Sequence, residues 1–233
     1  MIAAHGPAIS DEAFTRETLQ QRLADAGPDA LPAHFERCNF DEADLSQLDL
    51  RGARFTACSF AETLLGRAQL SDTRWAGCQA RQARFDLADL THAHFQECDL
   101  NNTQWARAKL ASARFTGVKL TGAQFEDVSA LGLVFEDSLL VGATLRSLSF
   151  RKQTLVRLDL TEADVSGCDF REAVFEGGSL RHAHLKLARF EGADLREVDL
   201  TGLRLADARL FKGATLSHGQ AAALVAELGI RVI

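Results

Sequence analysis

The chain has no run of about 18 apolar residues, so nothing in it reads as a membrane-spanning helix. Its first ten residues, MIAAHGPAIS, lack a basic segment followed by an apolar core, so no secretory signal is expected. Basic charge is not in excess either. With 26 Lys and Arg against 32 Asp and Glu, the formal net charge is −6, which speaks against a general nucleic-acid binder. The expectation is a cytoplasmic protein that meets neither membrane nor nucleic acid directly. None of the five cysteines lies in a C-x-x-C pair, so zinc spacing is missing. A glycine-rich phosphate loop, a zinc-protease motif and a nucleophile elbow are missing as well. Ser, His and Asp are scattered, with no long loop to build a pocket. The chain therefore reads as a non-enzyme with no cofactor and no metal.

What is present is a period. In EGADLREVDLTGLRLADARL, residues 191–210, leucines fall at 195, 200, 205 and 210, with Ala193, Val198, Leu203 and Ala208 two places before them. Helices repeat near 3.6 and strands at 2.0, so neither accounts for a step of five. Counted in fives from Phe35 to Leu210, 36 positions hold 18 Leu, 13 of the 15 Phe and both Trp. The positions two before them hold 17 Ala and all five Cys. Each pentad thus sends one large and one small side chain inward and three residues outward. A second period sets the size of a turn. Cys38, Cys58, Cys78 and Cys98 recur at 20, as do the aromatics at 35, 55, 75, 95 and 115. Four pentads then close one coil, and nine coils would stack to roughly 43 Å at the ~4.8 Å spacing of hydrogen-bonded strands.

The pentads RGARF, DLADL, TGAQF and EGADL resemble the pentapeptide-repeat family over about residues 31–215. The resemblance implies an all-β solenoid, a right-handed quadrilateral β-helix, here of about nine four-pentad coils with short helical caps. Residues 1–30 are expected to form an N-terminal segment with a capping helix. That helix would start at Ser10 and run through DEAFTRETLQQRLADAG to Gly27, a lid carrying Phe14, Leu19 and Leu23. Residues 216–233 are expected to form a C-terminal helix from Ser217 to Gly229 and a short strand, IRVI. Ala222, Val225 and Leu228 could cover the final coil, and Leu224, Val225 and Leu228 are the candidates for a two-fold dimer interface. A monomeric cap is the alternative.

The cysteines fill the small inward position and read as buried filler. His92 and His94, and likewise His182 and His184, flank an inward Ala and should point outward. One outward column runs His34, Arg54, Arg74, His94, Arg114, then Val134, Thr154, Val174, Asp194. Near its apolar half, Leu131, Leu139, Val141 and Val156 are also outward, and with Val134 and Val174 they form a candidate partner-binding surface. In the same stretch Leu133, Leu148, Gln153 and Leu158 occupy the small inward position, which should distort the coil. The competing reading is that this irregularity tilts the apolar residues inward.

The ending LSHGQAAALVAELGIRVI and the segment SALGL at 129–133 are similar to the quinolone-resistance and topoisomerase-immunity members of the family. That resemblance implies a protein partner, DNA gyrase, dimerisation through the C-terminal end, and imitation of duplex DNA. Imitation of charge would be local, around Asp41, Glu42, Glu62, Asp99, Asp159, Glu162 and Asp199, which share one face. The alternative is a scaffold or adaptor, for example an accessory component of a type VI secretion apparatus.

Overall fold

The computed structural model describes residues 6–27, 31–226 and 228–231. Two compact units divide the chain, residues 1–134 and 135–233, and the same five-residue device builds both. In the first, strands β1 (Ala8–Ser10), β2 (His34–Glu36), β3 (Arg54–Thr56), β4 (Arg74–Ala76), β5 (His94–Gln96) and β6 (Arg114–Thr116) pair in parallel, each with the next. From β2 onward the register step is 20, so Phe35, Phe55, Trp75, Phe95 and Phe115 lie one above another. Isolated parallel bridges such as Asn39↔Ser59, Asp44↔Leu64 and Asp49↔Gln69 repeat the same step on the other three sides. In the second unit Glu136 of β7 (Val134–Glu136) pairs with Val156 of β8 (Thr154–Val156), which pairs β9 (Val174–Glu176).

Pentad 60–64 shows why the period is five. The N–H groups of Phe60 and Glu62 donate forward to Gln79 O at 2.7 Å and Arg81 O at 2.9 Å, and that of Leu64 donates back to Ala43 O at 2.9 Å. Thr63 N–H closes the corner on Phe60 O at 3.2 Å. The fifth donor, Ala61 N–H, is taken by the Asp41 carboxylate at 2.7 Å. No backbone donor of the pentad is left over, as burial requires. The corner residue, Glu62, has a φ of 56°, and among the described residues 24 non-glycine residues have a positive φ. Such a residue costs on the order of 1 kcal/mol or more. The left-handed turn aims its N–H at the next coil, and the bond made there offsets the cost.

The core is a set of ring stacks. Centroids lie 5.4 Å apart for Phe35–Phe55, 4.3 Å for Phe55–Trp75, 5.3 Å for Trp75–Phe95 and 4.8 Å for Phe95–Phe115. On an adjacent side Phe85, Trp105 and Phe125 follow at 4.2 and 5.5 Å. Each indole N–H needs an acceptor in this apolar interior. Thr73 Oγ1 accepts from Trp75 at 3.0 Å and Thr103 Oγ1 from Trp105 at 2.8 Å, and each threonine hydroxyl in turn donates to a backbone carbonyl at 2.7 Å. The small inward position two before each Trp is therefore Thr rather than Ala.

Several expectations change. The strand column recurs from His34 to Val174 in 20-residue steps, about seven turns rather than nine: among the described residues no strand of the column follows β9, and the pentads after Leu200 leave the winding. Leu205–Phe211 is a 3-10 helix, and Phe211 instead of Leu210 takes the inward place, stacking on Phe190. Ser10 does not cap a helix. It ends β1, and α1 (Arg16–Ala26) starts from Thr15 through a capping box with Thr18. The stretch before α1 is extra winding: Ile9 pairs with Phe35, Phe14 stacks on Phe40 at 5.2 Å, and Leu19 is buried. At the other end α2 (His218–Ala226) forms as expected, but Ile230 and Arg231 are not strand, and Val232 and Ile233 lie outside the described residues. Leu148 and Leu158 are buried in the small position without breaking the ladder, since their carbonyls accept from Asp169 at 2.9 Å and Ser179 at 2.8 Å. Gly178 faces Leu158 of the preceding coil, where a Cβ would collide with the Leu158 carbonyl. No described helix is long and apolar enough to cross a membrane.

Candidate interaction surfaces

Chemistry-bearing groups inside the winding are structural. Cys58, Cys78 and Cys98 each donate Sγ–H to the carbonyl of the large residue 23 places earlier, at 3.4–3.5 Å, and Cys168 does so at 3.0 Å. All five thiols are free and buried, and burial pushes Cys168 up to about 12. The outward histidines stay apart from any ligand set. His92 faces Asp72 at 3.5 Å, and among the described residues no three His, Cys, Asp or Glu side chains converge as metal ligands.

The apolar candidates do point outward. In the first unit Leu131 is 85% exposed and Val134 half-buried. In the second, Leu139 and Val174 are 42% and 39% exposed, with Val141 and Val156 half-buried. The inward tilt does not occur, because Leu133, Leu148 and Leu158 occupy the interior. Val156 and Val174 belong to the strand side, whereas Leu139 and Val141 belong to the next side around the coil.

The acidic candidates divide by role. Asp41, Asp99, Asp159 and Asp199 accept backbone N–H bonds from Ala61 at 2.7, Asn101 at 3.3, Thr161 at 3.0 and Thr201 at 2.9 Å. Asp99, Asp159 and Asp199 work as turn caps, the local hydrogen bond that favours Asp and Asn before a corner, whereas Asp41 reaches across to Ala61 N–H one coil on. Asp99 is also held by Arg81 at 2.6 Å. Hydrogen bonds from the Thr201 hydroxyl and N–H hold the Asp199 carboxyl below its ordinary range, helped by the Arg181 and His182 charges. Glu42, Glu62 and Glu162 are exposed at left-handed corners. Arg54 and Arg74 stand one coil apart on the strand side, with Arg114 two coils beyond Arg74, and none of the three makes an ion pair among the described residues.

At the C-terminal end Gln220 fastens α2 to the last coil, donating from Nε2 to Leu195 O and Val198 O, both at 2.7 Å. Its Oε1 accepts from Ser217 N–H at 2.7 Å, which caps the helix. No residue of α2 is buried. Leu224 and Val225 are half-buried and Leu228 is 59% exposed. Sequence reasoning passed over Gln220, Phe211, Thr73 and Thr103 as individual functional positions. The pairs DTRW and NTQW did carry the threonine signal.

This geometry defines a class: a parallel β-solenoid of five-residue repeats, four to a turn. Family models agree. Residues 32–105 match the pentapeptide repeat region model, and residues 88–127, 138–177 and 179–210 match the model of pentapeptide repeats in eight copies. The chain belongs to the pentapeptide-repeat family. Among solved structures it is similar to a trypsin-treated form of QnrB1, a plasmid-mediated fluoroquinolone resistance protein, at 22% identity and a TM-score of 0.62, covering 97% of each chain. Full-length QnrB1 matches at 21% identity and 0.60, covering 96% of this chain and 97% of that one. HetL, a pentapeptide repeat protein involved in heterocyst differentiation regulation from the cyanobacterium Nostoc sp. strain PCC 7120, matches at 23% and 0.50, over 91% and 88%. No curated protein matches the chain.

Proposed function

We propose that the protein is a non-enzymatic protein-binding solenoid whose client is DNA gyrase, and that it protects this enzyme from quinolones. The observation that carries the reading is the end-to-end likeness to QnrB1, 97% of both chains, together with outward Leu139 and Val174 in the second unit. Apolar residues gathered on the outside of a folded chain mark contact sites. The exposed corner glutamates Glu42, Glu62 and Glu162 supply the anionic contacts. Leu224, Val225 and Leu228 supply a two-fold contact between copies, and a cytoplasmic setting follows from such a client. The test is a gyrase supercoiling assay with purified protein, with and without a quinolone. Inhibition or drug protection at micromolar protein supports the client, and neither effect removes it.

A second reading, a scaffold or adaptor such as a secretion-apparatus component, is favoured by a different observation. The Asp candidates are tied up in backbone hydrogen bonds and, among the described residues, Arg54, Arg74 and Arg114 make no ion pair, so the charge pattern departs from that of a DNA duplex. A protein that leaves gyrase untouched yet captures another partner through Leu139 and Val141 would fit this reading.

A further inference from the structure

In the second unit the winding opens beside the 3-10 helix. One coil earlier the ladder is intact: Val165 N–H donates to His184 O at 3.1 Å and Gly167 N–H to Lys186 O at 2.8 Å. Leu185 and Leu187, twenty residues on, should repeat both bonds. The coil beyond has turned into Leu205–Phe211, and among the described residues neither N–H meets a backbone carbonyl.

Side-chain burial fails at the same place. Val165 and Ala163 fill the large and small inward positions and are buried, whereas Leu185 and Ala183, their successors, are half-exposed and Leu187 is 73% exposed. The result is a groove of about 970 Å³ with a leucine floor that includes Leu200 and Leu203. Its rim carries His182, His184, Lys186, Arg204 and Arg209 against a single carboxylate, Asp207, which Arg204 holds at 3.3 Å. A cationic rim is a local inversion in a chain of net charge −6.

The geometry points to a docking site for an acidic peptide segment, in extended conformation, that adds itself as the missing strand. Its carbonyls accept from Leu185 and Leu187 N–H. Side chains of an extended segment alternate, so one set, apolar, enters the leucine floor and the other, carboxylate, meets Lys186, Arg204 and Arg209. Strand addition draws affinity from main-chain bonds and specificity from pockets for alternate side chains. Charge selects the occupant. A nucleic acid would satisfy the rim but place phosphates over leucines. A second copy offers its exposed Leu228–Arg231 end, which brings a cation to a cationic rim. The inference is independent of gyrase, and its test uses none.

The test is fluorescence anisotropy with a fluorescein-labelled decapeptide of alternating Asp and Leu, beside its Lys–Leu counterpart, using the full chain. Saturable binding of the acidic peptide is expected, at least tenfold weaker in Arg204→Glu with Arg209→Glu and in Leu187→Asp. Hydrogen exchange on the wild type should show Leu185 and Leu187 amides slowed by the acidic peptide, a readout that needs no variant to fold. Equal binding of the two peptides, unchanged binding in the variants, or no slowing of those amides overturns the proposal. So does a concentration-dependent dimer that Leu187→Asp abolishes, which would give the groove to a second copy.

Discussion

Phe211 stacks on Phe190 with ring centroids 4.5 Å apart and planes 15° from parallel, although 21 residues separate them where the strand column from β2 onward steps by 20. The register follows the ring: Asp194 pairs with Thr215, again 21 apart. Phe211 is buried, whereas Leu210, which keeps the five-residue phase, is half-exposed. Phe211→Ala should therefore destabilise the second unit by about 3–5 kcal/mol, the range for emptying a buried aromatic site. Leu210→Ala should cost under about 1.5 kcal/mol. Urea unfolding followed by circular dichroism distinguishes them, and equal losses would mean that the phase does not slip.

Removing the hydroxyl of Thr103 orphans the indole N–H of Trp105, since both side chains are fully buried. Thr103→Val should cost about 1–3 kcal/mol, the penalty for an unsatisfied buried donor. Thr103→Ser keeps the acceptor and should lose much less. Tryptophan fluorescence reports on the first unit, because Trp75 and Trp105 are the two tryptophans of the chain.

Acid should loosen the second unit first at Asp169. Its carboxylate accepts from the Arg171 guanidinium at 2.7 Å and Arg189 at 3.0 Å, and the Arg171 hydrogen bond leads in holding it at about 2. An unfolded Asp titrates near ~3.9. Because the folded value is the lower one, the stabilisation is present above about pH 4 and drains away as pH falls toward 2. Urea midpoints measured from pH 6 to 2 should decline over that window, and Asp169→Asn should flatten the decline.

The five thiols should be silent toward a thiol reagent in the native protein and react together once it is unfolded. Burial, not pairing, protects them, because a reagent cannot reach a thiol enclosed in the winding. Rapid labelling of Cys58 or Cys78 without denaturant would contradict the core described here.

Leu139→Lys combined with Val141→Lys should abolish partner capture while leaving the melting temperature nearly unchanged, since both side chains face outward. A large drop in melting temperature would place them in the core instead.

Much of this was legible in the residues. The inward slots were marked by 18 Leu, 13 Phe and two Trp at one spacing, and the 20-residue step by the cysteines. The N-terminal winding was also written in fives, as Ile9, Phe14 and Leu19, but in another phase. It joins the main register at a step of 26, Phe14 lying on Phe40. A phase shift within a turn leaves no mark in a periodicity count, so this stretch read as helix. The roles of the acidic residues were less legible: a count of carboxylates does not reveal that Asp159 is bonded to the backbone at its own corner and Asp41 to Ala61 N–H one coil on.

The sequence by itself determined the winding, because one large and one small apolar residue per pentad can be buried together only if the chain turns after every fifth residue. Tertiary structure decided where the winding stops. Phe211 and Leu210 are both apolar enough for the last slot, and the choice between them depends on contact with Phe190 and on how α2 is tied down by Gln220. Those contacts join residues more than twenty places apart, so no local pattern contains them.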